Sequence, residues 1–268
     1  MYEKFTPEFF EHPTLFAFYN WYLDLTYGIS CLLYCLIIYI VRTRSTKDIH
    51  TYSLYLCVQF TWSVIFDIVL TSLKPAMLYP FMLYYSRGPF APFGYTISLI
   101  QFSLLLCTCV GFGITILHSA LYRISKTLTM VHSILKIFDR PALSLGLSNL
   151  VVACGCVCVL TPLVPASRSQ EELKAATLSK SPAMSALFAV ERSIVGFETP
   201  SGNGNWWFDF ASTALVIVLV VGVVLLIGLN IGCFILIRKR REMMSRKIYQ
   251  MNITLYKVLT LQMVMISC

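Results

Sequence analysis

The sequence predicts an all-α, multi-pass helical membrane bundle, and three observations carry that prediction. Hydrophobic residues make up 57% of the 268 and charged residues only 13%, with a mean hydropathy of +0.72, a balance too apolar for a soluble domain of this length. Five apolar windows, at approximately 20–41, 51–73, 94–121, 142–163 and 207–237, are each long enough to cross a bilayer. The basic residues between them fall unevenly. One side takes Lys4, Lys74, Arg87, Arg168, Lys174, Lys180 and Arg192, a third of the 21 Lys and Arg, and the other side takes the rest. The positive-inside rule puts the richer side in the cytoplasm and the N-terminus outside the cell. The net charge of +8 is therefore a topology signal and does not indicate a nucleic-acid partner.

The leading segment MYEKFTPEFFEH is acidic and aromatic, without the basic start of a cleaved signal, so the first window is expected to act as its own insertion signal. The second window holds Asp67, an acid deep in an apolar run. Lipid offers it no partner, so it must face the bundle interior or a wet cavity. Gln59, Ser63, Asp67 and Thr71 recur every four residues, which predicts one polar helix face. The chain leaves this window through Lys74-Pro75 into an aromatic, proline-punctuated loop that ends near Gly94.

On the third window Ser98, Gln101, Thr108 and Thr115 again share one face by spacing. Two polar stripes on neighbouring helices predict facing surfaces with a cavity toward the outer half. A small ligand would enter among the second, third and fifth spans, with Asp67, Thr71, Gln101 and Ser98 as candidate contacts. The plainer alternative is that such groups tie helices together, each bond contributing ~0.6 kcal/mol in a membrane. Thr108 and Thr115 are read that way, and Asp67 and Gln101 stay open between the two. His118 and His132 read as interfacial polar residues.

In the fourth window, Cys154-Gly-Cys156-Val-Cys158 looks metal-like only until it is wound on a helix, where Cys156 points away from the other two, so no metal site is expected. All 10 cysteines lie in apolar runs, and no disulfide framework can be read from them. The long outer loop, about 164–205, carries a capping box at Ser169 and Glu172 and a Ser181-Pro182 helix start, which predicts short helices over the outer mouth. Trp206-Trp207-Phe208 is placed as an interface anchor.

The fifth window exceeds what a bilayer requires, so it must tilt or continue into the cytoplasm. Its Gly228 and Gly232 suit close packing inside the bundle or a dimer face. It runs into a basic stretch with Arg238, Lys239, Arg240 and Arg241, either an anchor for anionic membrane lipid or a surface for a cytoplasmic partner. The only sequon, at Asn252, falls on the cytoplasmic side and should be unused. A further apolar run, 257–268, is shorter than the roughly 20 residues a helix needs to cross, which predicts a chain truncated within its sixth span.

No HExxH, GxSxG or P-loop occurs, and no pair of membrane carboxylates could share a proton; no enzyme activity and no cofactor are expected. A bundle that binds a small molecule and shifts between two packings fits better. The alternatives are a channel or transporter subunit and a nonfunctional truncated product.

The segment WSVIFDIVLTSLKPAMLYPF, followed by YYSRG, resembles the nematode serpentine chemoreceptors of the Srh and Sri classes through Asp67, Pro75, Pro80, Tyr85 and Gly88. VPASRSQEELKAATLSKSP and SRKIYQMNITLYKVLTLQMVMISC, with its Gln262, are similar to the corresponding family segments. The resemblance implies a seven-transmembrane receptor on chemosensory neurons that responds to environmental small molecules through a heterotrimeric G protein, and it leaves receptor dimers possible. Many seven-helix receptors carry an acid before the arginine that ends the third span. Here the residues are Ala120-Leu121-Tyr122-Arg123, so Arg123 alone is carried over as a G-protein-facing candidate beside Arg238, Lys239, Arg240 and Arg241.

Overall fold

The computed structural model describes residues 13–44, 47–78, 83–127, 140–190, 193–197 and 206–239. In chain order these form α1 (Pro13–Arg44), α2 (Lys47–Leu73), strands β1 (Pro75–Leu78) and β2 (Leu83–Ser86), α3 (Tyr95–Thr127), α4 (Pro141–Ala166), α5 (Gln170–Lys180), α6 (Ser185–Val190), β3 (Val195–Gly196) and α7 (Trp206–Lys239). Five of these helices, α1 to α4 and α7, are long and apolar enough to cross a membrane, one for each of the five complete windows. The sixth window at 257–268, His132, Asn252 and Pro80 lie outside the described residues.

The long helices pack in sequence order, α1 on α2, α2 on α3 and α3 on α4, and α7 lies against both α3 and α4. α3 is thus the central helix. Burial in this bundle differs from that in a water-soluble protein, with polar residues taking many of the inward positions and large aliphatic residues much of the surface. Buried positions include Ser53, Gln59, Ser98, Gln101, Thr108, Thr115, Ser119, Ser144 and Ser148, whereas Leu32, Leu150, Val157 and Val224 point outward. Small and polar residues let helix backbones approach closely, and an aliphatic exterior matches lipid. Trp62 shows how closely α2 and α3 approach: a Cβ at Gly111 would come within 2.4 Å of its ring.

At one end the chain departs from pure helix. The stretch read as a loop after the second window folds as a hairpin, with β1 antiparallel to β2 from Pro75 opposite Ser86 to Leu78 opposite Leu83. β3 then adds to β2 through Tyr84 and Val195. Four-residue strands are too short to display alternation in sequence, and the third strand arrives from far along the chain.

Pro75 disfavours the helical conformation for the residue before it, so α2 ends at Leu73; Lys74 itself has a positive φ of 43°, uncommon for a residue with a side chain. The turn is pinned from several directions. Lys74 Nζ pairs with Asp24 of α1 at 2.8 Å, Arg87 N donates to Lys74 O, and Gly88 N donates to Leu73 O. Ser86 Oγ donates to the same Leu73 carbonyl at 2.8 Å. Only a glycine fits at position 88, where a Cβ would sit 1.8 Å from the Ser72 carbonyl oxygen.

Of the expected capping box the N-cap half is seen, with Ser169 Oγ accepting from Glu172 N and starting α5. Ser181 precedes a 3-10 turn with Pro182 in its first position, as the sequence suggested, although the Ser181 side chain makes no capping bond there. α5, α6 and the sheet close over one core of Leu78, Leu83, Tyr85, Leu173, Met184 and Phe188. The result is a lid across one end of the bundle.

Candidate functional site

Directly beneath the lid, α2 and α3 meet through Gln101. Its side-chain Nε2 donates to Ser72 O at 3.4 Å and to Ser72 Oγ at 3.3 Å. The amide orientation follows from chemistry: a backbone carbonyl only accepts, and the Ser72 hydroxyl already spends its proton on Val69 O at 2.8 Å. Gln101 Oε1 is left buried with no hydrogen-bond partner among the described residues.

One helical turn nearer the lid, Ser98 is fully buried and turns its hydroxyl to Gly94 O, so its side chain is satisfied within α3. Its backbone carbonyl accepts from the Tyr84 phenol of β2 at 3.3 Å. Burial pushes the Tyr84 phenol upward in pKa, with the neighbouring Tyr95 adding to the effect, so Tyr84 remains a neutral donor. The Tyr84 ring stacks on Phe102 at 4.7 Å, and Leu73, Val195, Leu99 and Leu105 complete an apolar wall.

Asp67 makes its contact elsewhere: its carboxyl lies beside Ser30 of α1. Thr71, one turn on, is half-buried. The expectation of a single polar face on α2 therefore needs correction. A four-residue repeat on a helix with 3.6 residues per turn advances about 40° at each step, so Thr71 lies about 120° round from Gln59. Gln59 accordingly meets α3, where Ser119 Oγ donates to its Oε1 at 3.0 Å, and Asp67 meets α1. On α3, Thr108 and Thr115 show no bond to another helix among the described residues; both hydroxyls donate back to carbonyls of their own helix at 2.9 Å.

The opposite end of α3 carries a cluster that sequence reasoning missed. The Tyr55 ring lies 4.5 Å from Tyr122 and 5.0 Å from His118, and His118 Nε2 is 3.0 Å from Ser144 Oγ of α4. These contacts, with Gln59–Ser119, join α2, α3 and α4 immediately before Arg123. His118 thus connects α3 to α4, a contact beyond the interfacial role expected for it. The only sequence signal was its position, one turn before Tyr122. Arg238 is exposed at the end of α7; the side chains of Arg123 and Lys239, and all of Arg240 and Arg241, lie outside the described residues.

Cys156 turns inward, its Sγ 3.8 Å from Cys107 O, while Cys154 and Cys158 face outward. Around Gly228 and Gly232 no described atom lies within 4 Å of where a Cβ would stand. The two ends therefore differ in chemical capacity. The lid end holds an unmet acceptor on the α2–α3 seam, and the far end holds a contact that joins three helices.

The chain matches the family model described as serpentine type 7TM GPCR chemoreceptor Srh over residues 16–268. No curated protein and no solved structure matches it.

Proposed function

The chain belongs to the Srh family of serpentine seven-transmembrane G-protein-coupled chemoreceptors, receptors and not enzymes, and from that premise we propose that it binds an environmental small molecule from the extracellular side and signals to a heterotrimeric G protein. The match across residues 16–268 carries this reading, because it spans the lid and all five long helices. The protein is a multi-pass integral membrane protein; the charge asymmetry of its loops supports placing the lid outside the cell and the Arg123 end in the cytosol. The family points further to chemosensory cilia as the place of display.

In this reading the ligand lodges under the lid among α2, α3 and α7, with Gln101, Ser98, Asp67 and Thr71 as the candidate contacts. Gln101 and Ser98 share the α2–α3 seam, and Asp67 and Thr71 act from the side of α2 that turns toward α1. Binding favours one arrangement of α3 over another. The shift is felt at the Tyr55–His118–Tyr122 cluster and so at Arg123, with Arg238, Lys239, Arg240 and Arg241 completing a basic cytosolic surface for the G protein and for anionic lipid.

The test is a G-protein activation assay on cells displaying the full chain, stimulated with small volatile and water-soluble compounds. A ligand-dependent response that Arg123→Ala abolishes at equal surface level supports the reading. Asp67→Asn is expected to weaken the response about tenfold by altering the polar contact at the α1–α2 seam. An unchanged response and surface level would take Asp67 out of the site. A tag at Met1 that is protected in intact cells overturns the orientation.

A further inference from the structure

The orphaned acceptor under the lid restricts what the ligand can be. Gln101 is more than nine-tenths buried, its Nε2 donates to Ser72 O and Ser72 Oγ, and its Oε1 has no described partner. An unmet carbonyl at this depth is costly, because neither lipid nor an apolar wall can solvate it. The amide cannot relieve this by flipping, since both Ser72 atoms then face an acceptor: the Ser72 carbonyl has no proton and the Ser72 hydroxyl proton is committed to Val69 O.

The surroundings narrow the class further. Gln101 lies about 9 Å along α3 from its start at Tyr95, one turn below Ser98, whose carbonyl is already taken by Tyr84. Aromatic and aliphatic groups, Tyr84, Phe102 and Leu105 among them, form the neighbouring wall. Asp67, the acid of α2, is engaged with Ser30 on the α1 side. Ser72 supplies the only hydrogen-bond partners of Gln101 among the described residues, so a cation there would lie in a buried setting with no carboxylate in contact with it, at high cost.

We propose that Gln101 Oε1 is a specificity-determining acceptor that takes a hydrogen bond from a hydroxyl or N–H donor on a small, neutral, otherwise apolar ligand, an alcohol, phenol or amide rather than an ether, ester or ketone. This rests on the receptor reading for the biological role of the site, but the binding preference is measurable without signalling. A donor-bearing ligand gives Oε1 the bond it lacks, whereas an ether of the same shape leaves it unmet. Discrimination between them follows from that asymmetry.

The experiment uses the full chain in lipid nanodiscs and two matched pairs of compounds, 1-hexanol with its methyl ether and phenol with anisole. The shift of the thermal unfolding midpoint is followed as each compound is titrated. The expected result is saturable stabilisation by a hydroxyl compound, with apparent affinity about tenfold above that of its ether. Gln101→Met is expected to bring the pair to parity, mainly by weakening the hydroxyl compound. Equal affinities within both pairs, a preference that survives in Gln101→Met, or no stabilisation by either hydroxyl compound overturns the proposal. Equal affinities would mean that water fills the site. Should Gln101→Met fail to assemble, the ratio measured on the unaltered chain decides alone. A chain that activates its G protein but shows no hydroxyl preference sinks this inference and leaves the receptor reading standing. A chain that prefers the hydroxyl compound but never activates a G protein does the reverse.

Discussion

The lid and the helix bundle bury residues in different proportions, the bundle taking in far more polar side chains. In the lid the fully buried side chains are Leu78, Leu83, Leu173, Met184 and Ile194, as in a water-soluble core. In the bundle Ser, Thr and Gln share the buried positions with residues such as Leu23, Ile116 and Val152, and most of the large aliphatic side chains look outward. Hydrogen bonding differs in the same way. Lid bonds join distant parts of the chain, with Ser86 and Ser193 bonded to each other across 107 residues, whereas the Ser and Thr hydroxyls of α3 mostly return to their own helix. The lesson is that one chain has folded for two solvents. Apolar burial drives the lid, which water surrounds, and it has little force between helices already immersed in hydrocarbon, where close packing and small residues take over.

The largest expected effect tests the lid's half of that contrast. Leu173→Ala, at a fully buried position, should destabilise the lid by about 3–5 kcal/mol, seen as protease nicking in the 167–197 segment. The same change at Leu32, which is 73% exposed on α1, should alter thermal unfolding in nanodiscs by less than about 0.5 kcal/mol. Equal effects at the two sites would erase the distinction between the regions.

A step smaller, Gly88→Ala forces a Cβ against the Ser72 carbonyl and should separate the hairpin from the end of α2 at a cost of about 2–3 kcal/mol. It should open the lid to protease while the helix content measured by circular dichroism holds. Loss of helix along with the lid would mean that the two regions fold as one unit. Asp24→Asn removes the partner of Lys74, and because Asp24 is more than half exposed the loss should be under about 1 kcal/mol and shrink further in high salt. The smallest effect belongs to the bundle: Thr115→Val, which removes only an own-helix bond, should change stability by about 0.5 kcal/mol or less. A cost several times larger would show that Thr115 does tie helices together.

Much of the fold was legible without coordinates. Hydrophobic runs long enough to cross a bilayer can hardly be anything else, because a backbone in lipid must satisfy its own hydrogen bonds, and the five complete windows correspond to five long helices. The Ser169 cap was legible because a capping box is a contact over three residues. The hairpin was not, since β1 and β2 are too short for a pattern and β3 comes from a segment that no local rule pairs with Leu83 and Tyr84.

For the candidate site the boundary falls in the same place. Composition and spacing alone determined that Gln101, Ser98, Asp67 and Thr71 lie on membrane helices and that Arg123 ends the third. Only the tertiary structure decided that Gln101 meets Ser72, that Asp67 turns to Ser30, and that His118 joins Tyr55 to Ser144. The physical reason is that helical periodicity fixes a residue's angle around its own axis, while the helix it faces depends on how all the axes pack. That packing is a property of the whole chain, and no single window contains it.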